Sequence, residues 1–109
     1  MPTPPPQTPE ARAAALAKAA ISRRVRAEAK DKLKIGSMNL EELFAASDLG
    51  DEAGEMLSKL KVVSVLESLP GVGKVRARKL LEELEIKDSR RIRGLGANQR
   101  KALLARFPD

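Results

Sequence analysis

The 109-residue sequence contains no cysteine and no histidine. This absence excludes disulfides, a thiolate nucleophile, a zinc-finger site and any histidine-based catalytic triad, and it leaves carboxylates as the side chains suited to a metal. We therefore expect no catalytic residues, no metal site and no cofactor. Long apolar runs are missing too, since none approaches the roughly 20 residues that span a bilayer, and prolines occupy the start where a signal peptide would be apolar. These features predict a cytoplasmic protein that is not an enzyme.

Aromatic residues are scarce, because the sequence has two phenylalanines, Phe44 and Phe107, and neither tryptophan nor tyrosine. Proteins that bind single-stranded nucleic acids stack bases on aromatic side chains, so this composition argues for a duplex partner.

The formal net charge is +6 at pH 7. A polyanion is the natural partner of such a chain, with nucleic acid the first candidate and an anionic membrane the second.

The charge is distributed in three blocks along the chain. Residues 1–36 contain 8 lysines and arginines against 3 acidic residues, residues 37–60 contain 1 against 6, and the remainder contains 12 against 6. Two basic blocks that flank an acidic one predict two DNA-contacting surfaces and a segment that faces away from phosphate. For the acidic residues 41–55, a solvated back surface and a partner-binding surface are both open interpretations.

The first 36 residues predict a disordered tip followed by one long helix. Residues 1–8 are too rich in proline to fold. Thr8 suits the N-cap position, Pro9 suits the first helical turn, and Gly36 suits a left-handed C-cap after about residue 35. The N-terminal half of this helix has little to bury, so it should project from the core.

Helical periodicity divides the side chains of this helix into two faces. The apolar face, which should meet the core, contains Ile21, Val25, Ala29 and Leu33. An outward-pointing basic stripe, which is the second candidate DNA surface, contains Arg12, Arg23, Arg26, Lys30 and Lys34. An ordinary solvated helix face is the alternative interpretation of the stripe.

The remaining sequence has helical rather than strand periodicity. Asn39, with Glu42 three residues later, predicts a capped short helix, and residues 51–57 predict another brief helical turn. Denser patterns predict helices at residues 62–69, 74–84 and 98–107. Glycine-rich connections at residues 70–73 and 93–96 separate them. No segment alternates with the period of two that is typical of a half-buried strand.

An internal repeat appears when the chain is shifted by 23 residues, which superimposes residues 69–81 on residues 92–104. In each copy, two glycines allow a tight turn, and the apolar residue between them plugs the turn into the core. The next helix then starts with unpaired N–H groups that a phosphate can approach closely past glycine. A plain helical hairpin with glycines for turn geometry is the alternative interpretation.

Basic residues surround both glycine turns. In the first copy the candidate DNA contacts are Gly71, Val72, Gly73, Lys74, Arg76 and Arg78. In the second copy they are Arg90, Arg91, Arg93, Gly94 and Gly96. Three arginines so close repel one another unless an anion is near, which favours phosphate contact. The alternative is a set of ion pairs with Glu82, Glu83 or Glu85, and the last helix would extend the same surface through Gln99, Arg100 and Lys101.

The segment LESLPGVGKVRARKLL, residues 66–81, resembles the helix-hairpin-helix motif of non-specific DNA binders. Nearly the whole chain also resembles the actinobacterial type of integration host factor, most specifically in VSVLESLPGVGKVRA and SRRIRGLG. This resemblance implies an all-α fold with a helix-two-turn-helix (tandem helix-hairpin-helix-like) core and a long protruding N-terminal helix. The chain would then consist of the tip at 1–8, the basic helix at 9–36 and a DNA-binding domain at 37–109.

The same resemblance implies a nucleoid-associated protein that binds duplex DNA with weak sequence preference, bends or compacts it, and assists phage integration and nucleoid organisation. Its implied DNA contacts are residues 71–74 with Arg76 and Arg78, and the arginines Arg90, Arg91 and Arg93. We expect a monomer in solution, located in the nucleoid, with a phage integrase complex as a further partner.

Three other functions are open at this stage. Base-excision glycosylases also carry a helix-hairpin-helix, and Lys74 and Asp88 mimic their catalytic pair, but base extrusion needs a stacking pocket and a second domain that this chain lacks. An RNA-binding helix-two-turn-helix protein of the ribosomal type is the main alternative, although its long basic tail is missing. An adaptor that uses the acidic middle segment is the third.

Overall fold

The computed structural model describes residues 8–107, which form six α-helices and one 3₁₀ turn with no strand among them. The helices are α1 (Pro9–Ile35), α2 (Leu40–Ser47), α3 (Glu52–Ser58), α4 (Val62–Ser68), α5 (Lys74–Glu83) and α6 (Ala97–Arg106). The 3₁₀ turn, Ile92–Gly94, lies between α5 and α6. The predicted all-α fold is confirmed. Of the predicted disordered tip at residues 1–8, residues 1–7 lie outside the described range and Thr8 lies within it. In residues 8–107 no helix is both long and apolar enough to cross a bilayer.

Local signals set the ends of α1 as the sequence predicts. The Thr8 hydroxyl accepts a hydrogen bond from the Ala11 amide at 3.1 Å, and Pro9 occupies the first turn. Gly36 ends the helix in the left-handed conformation, with φ of 79°. The helix spans 27 residues, or about 40 Å at 1.5 Å per residue. Its first half is exposed, including Leu16 at 64%, so it projects beyond the core as expected.

The prediction that Ile21 packs against the core is wrong, because this side chain is 52% exposed. Ala29 and Leu33 are buried, and Val25 is half-buried. A strict four-residue spacing rotates by about 40° per step on a helix with 100° per residue, so Ile21 lies about 120° from Leu33. The buried face of α1 is therefore rotated away from Ile21 and toward the basic stripe.

The acidic segment forms two short helices that begin at side-chain caps. Asn39 and Glu42 make the predicted capping box, with the Glu42 amide donating to Asn39 Oδ1 at 2.8 Å and the Asn39 amide donating to Glu42 Oε1 at 3.1 Å. Asp51 caps α3 by accepting from the Gly54 amide at 2.7 Å. Gly54 is buried where α2 and α3 meet, and a Cβ there would lie 2.6 Å from the Ala46 carbonyl oxygen. Only glycine permits this close helix contact.

One hydrophobic core joins all parts of the described chain. Its fully buried leucines and isoleucine come from α1, α2, α4, α5, the 3₁₀ turn and α6 in turn: Leu33, Leu43, Leu66, Leu81, Ile92 and Leu103. Because Leu33 belongs to this core, the last turns of α1 pack against the helices that follow.

An isolated antiparallel backbone pair, Lys61 with Arg91, joins the connection between α3 and α4 to the segment before the 3₁₀ turn. The Val62 amide donates to the Arg90 carbonyl at 2.9 Å, and the Ile92 amide donates to the Leu60 carbonyl at 3.0 Å. One residue pair is too short to produce the alternation that marks a strand in sequence. The pair brings the connection between α3 and α4 beside the arginine cluster that precedes the 3₁₀ turn.

Candidate nucleic-acid interface

The first glycine turn has the geometry that its sequence predicts at Gly71. The Val72 amide donates to the Leu69 carbonyl at 3.1 Å, Gly71 has φ of 77°, and Pro70 precedes it. Proline followed by a residue with positive φ is the pattern of a type II turn. The second of the two central residues, here Gly71, needs a positive φ that glycine adopts readily. Val72 is 7% exposed, so it plugs this turn into the core as expected.

Gly73 does not have the unusual turn angles that the sequence pattern predicts for both glycines. Its φ of −91° and ψ of 179° are open to any residue, and a Cβ would meet no atom within 4 Å. Gly71 alone therefore supplies the unusual turn angle. What Gly73 provides is open space directly in front of the first amides of α5.

The N-terminus of α5 has the features that favour anion binding. Gly73 is its N-cap, no side chain caps it, and the first amide with a backbone partner in the helix is that of Ala77, which donates to the Gly73 carbonyl at 2.9 Å. Unpaired amides and the positive end of the helix dipole together favour a phosphate there. Lys74 and Arg78 are exposed near this site, while the Arg76 guanidinium donates to the Gly71 carbonyl at 3.4 Å.

The second turn repeats the hydrogen bonds of the first. The Leu95 amide donates to the Ile92 carbonyl at 3.1 Å, and the Arg100 amide donates to the Gly96 carbonyl at 3.0 Å, which match the Val72 and Ala77 bonds after the 23-residue shift. The hydrogen bonds of the repeat are thus shared, whereas the turn conformation is not, because Gly94 lies in the 3₁₀ turn and lacks the positive φ of Gly71. The two copies differ as anion sites, because Gln99 Oε1 accepts from the Gly96 amide at 2.9 Å and partly caps α6.

The three clustered arginines bind backbone carbonyls or face solvent. The Arg90 guanidinium donates to the Gly94 carbonyl at 3.1 Å, Arg91 donates to the Lys59 carbonyl, and Arg93 is exposed. In residues 8–107 the ion pairs are Arg100 with Asp48 and Arg106 with Glu83. Neither involves the arginine cluster, so the ion-pair alternative for these residues is wrong and their charge remains available to an anion.

The last helix does not extend the surface as its sequence suggests. Arg100 pairs with Asp48 of the acidic segment, and its guanidinium lies 5.3 Å from the centre of the Phe44 ring. Gln99 is engaged in capping α6. Of the three candidates on this helix, Lys101 alone is exposed.

The basic stripe of α1 flanks the core instead of pointing away from it. Lys30 and Lys34 line a groove of about 520 Å³ together with Gly73 and Lys74, so this part of the stripe adjoins the hairpin. Two carboxylates, those of Asp31 and Glu67, line the same groove.

A second groove, of about 440 Å³, places Arg23 and Arg26 beside Glu52 and Glu55 of α3. The acidic segment therefore adjoins part of the basic stripe on this side. Arg12 lies on the projecting half of α1, away from these contacts, and is exposed.

Known proteins match both the fold and the whole chain. A family described as the S13-like H2TH domain matches residues 33–107. Proteins named integration host factor from Mycolicibacterium smegmatis and Mycobacterium tuberculosis are each 53% identical over 103 residues, which is 94% of this chain and 94% of theirs. The chain belongs to the actinobacterial integration host factors.

One further relative and one solved structure support this family membership. The integration host factor of Streptomyces coelicolor is 52% identical over 94% of this chain and 92% of its own. A solved structure of sIHF bound to an 8-base-pair palindromic DNA superimposes with a TM-score of 0.76 at 47% identity, covering 83% of this chain and 97% of that one. The helix-two-turn-helix fold predicted for an integration host factor is thereby confirmed, and the H2TH match begins in the last turns of α1.

Proposed function

We propose that this protein is a non-enzymatic, nucleoid-associated protein that binds duplex DNA through backbone phosphates with weak sequence preference, bends or compacts it, and assists phage integration and nucleoid organisation. The observation that carries the proposal is the open N-terminus of α5, which presents unpaired amides behind Gly73 and cationic side chains around them. The likeness to sIHF bound to DNA supports a duplex partner and does not favour RNA.

The proposed interface is the face that carries both turns. Its members are Gly71, Val72, Gly73, Lys74, Arg76, Arg78, Arg90, Arg91, Arg93, Gly94 and Gly96. Amides and guanidiniums bind phosphate oxygens whatever the base sequence, which accounts for weak sequence preference. Within the set, Val72 acts through its buried side chain, which seats the turn. The stripe of α1 adds Arg12, Arg23, Arg26, Lys30 and Lys34.

Catalysis on a DNA base has no support in the site. Lys74 and Asp88 are both exposed, and extrusion of a base requires a stacking pocket. Phe44 is 5% exposed, and Phe107 lies in a groove beside Arg106, so neither offers a platform next to Lys74.

We propose further that the protein is a monomer in solution and resides in the cytoplasmic nucleoid. A domain at residues 37–109, preceded by the helix at 9–36, and association with a phage integrase complex remain proposals of the same kind.

A salt titration of duplex binding tests this function, because the slope of log K against log salt measures the number of phosphates bound. Replacing Arg90, Arg91 and Arg93 by alanine should weaken binding similarly on unrelated sequences and flatten the slope by about one unit per lost contact. Helicity measured by circular dichroism controls for the backbone hydrogen bonds of Arg90 and Arg91. A loss confined to one sequence would mean base readout and contradict the proposal.

A further inference from the structure

A concave groove between α1 and the Lys61–Arg91 pair has cations as its only ionisable lining residues, and three of them, Arg23, Arg26 and Lys59, also line the groove that contains Glu52 and Glu55. It encloses about 290 Å³, and its ionisable lining residues are Arg23, Arg26, Lys30, Lys59, Lys61 and Arg91. Ala27 and Leu60 complete the lining, and none of the carboxylates in the described chain takes part. This sets it apart from the two neighbouring grooves, each of which contains acidic residues.

The backbone holds these cations together. The hydrogen bonds of Val62 to Arg90 and of Ile92 to Leu60 fix the two segments that form one wall, and the Arg91 guanidinium is drawn across it to the Lys59 carbonyl. Charges of one sign in a cleft reinforce one another's potential and concentrate anions there. The groove is therefore built in a way that favours an occupant with several negative charges over a single one.

The groove continues into the site at the start of α5. Lys30 and Ala27 line both this groove and the groove that contains Gly73 and Lys74. A sugar-phosphate chain with one phosphate on the α5 amides can thus place its neighbouring phosphates among the cations of α1 and the Lys61–Arg91 pair without leaving the protein surface.

We propose that this cationic groove binds consecutive phosphates of the DNA strand held at Gly73, which makes Lys59 and Lys61 DNA-contacting residues. The inference rests on the proposed function. It replaces two separate DNA surfaces by one continuous path from the hairpin to α1. A free polyphosphate chain has the same chemistry, so the test must separate the two sources.

The variant Lys59→Gln/Lys61→Gln removes two groove charges, and its matched control Arg24→Gln/Lys32→Gln removes two charges from exposed positions of α1 that do not line the groove. Salt titrations on a 20–30 base-pair duplex should give a slope flatter by up to about two units for the groove variant and an unchanged slope for the control. Tripolyphosphate, added to the isotopically labelled wild-type protein, should shift the amide resonances of residues 59–61 and 90–92. Duplex DNA should then displace it, which phosphorus NMR detects as recovery of the free tripolyphosphate signal.

Two results would overturn the inference. If the groove variant keeps the slope of the control while Gly73→Asp abolishes binding, the groove is not on the DNA path although the proposed function stands. If tripolyphosphate shifts the groove resonances and duplex DNA does not displace it, the groove takes free phosphate chains instead. A failure of Gly73→Asp to affect binding would contradict the proposed function itself and is thus distinguishable from both.

Discussion

At the residue scale, the two glycines of the first turn have different roles. Gly71 sets the backbone angle of the turn, with φ of 77°, whereas Gly73 has ordinary angles and open space around its Cα. The sequence shows a glycine in both cases and cannot distinguish them, because a turn requirement and a need for ligand access select the same residue. This difference predicts that a substitution at Gly73 changes DNA affinity without lowering the stability of the fold.

Replacing Gly73 by aspartate should abolish DNA binding without destabilising the protein. Aspartate is a favourable N-cap, so the melting temperature should stay the same or rise by an amount worth a few tenths of a kcal/mol. The added carboxylate would occupy and repel the phosphate position at α5. Ala53→Asp, which adds the same charge at an exposed position in the first turn of α3, is the control and should bind normally. Unchanged affinity of the Gly73 variant on duplex DNA would exclude the hairpin as the phosphate site.

Gly54 gives the opposite case, in which the side chain is excluded by the fold. Gly54→Ala would place a Cβ 2.6 Å from the Ala46 carbonyl oxygen, so α2 and α3 must separate. We expect a destabilisation of about 1–3 kcal/mol, as for other overpacked sites, in urea denaturation. Ala53→Ser on the exposed side of α3 serves as the control. If Gly54→Ala unfolds at the wild-type urea concentration, the close contact between the two helices does not exist.

At the scale of elements, signals local in sequence predicted the structure well. The cap hydrogen bonds of Thr8, Gly36 and Asn39 are made to residues within about one helical turn. The ends of α1 and the start of α2 could therefore be predicted from the sequence. The Lys61–Arg91 pair joins residues 30 positions apart through backbone atoms, which leaves no side-chain pattern. For the same reason the sequence shows Lys59 as the single cation of an acidic block, and only the tertiary structure shows that it lies beside Arg91.

Helix α6 illustrates how tertiary contacts reassign a basic residue. Arg100 pairs with Asp48 and lies over Phe44, so Arg100→Gln should lower stability by up to about 1 kcal/mol and leave the salt slope of DNA binding unchanged. Lys101→Gln is the matched control, since Lys101 is exposed on the same helix and should have no effect on stability. Thermal unfolding and duplex titrations measure the two quantities. A flatter slope for Arg100→Gln would show that this arginine contacts phosphate after all.

At the scale of the whole molecule, α1 has two different parts. Its last turns contribute Leu33 to the core and Lys30 and Lys34 to the groove beside Gly73, whereas residues 9–14 are exposed and precede the part of α1 that lines a groove with α3. The sequence pattern groups the stripe as one surface. It does not contain the rotation of the buried face of α1 toward the stripe, because that rotation is set by tertiary packing. The two parts should therefore contribute differently to DNA binding and to DNA bending.

The last prediction compares Arg12→Gln in the projecting part of α1 with Lys34→Gln at the hairpin, since each removes one charge of the basic stripe. Bending a 20–30 base-pair site costs about 1–6 kcal/mol, and contacts far from the hairpin are the ones that offset this cost. We expect the projecting-half variant to keep its affinity for a short duplex but to compact long DNA less at matched occupancy in single-molecule images. The hairpin-groove variant should lose affinity for the short duplex directly, with a flatter salt slope. If the projecting-half variant compacts DNA to the wild-type extent, Arg12 belongs to an ordinary solvated helix face, and bending arises entirely from the domain.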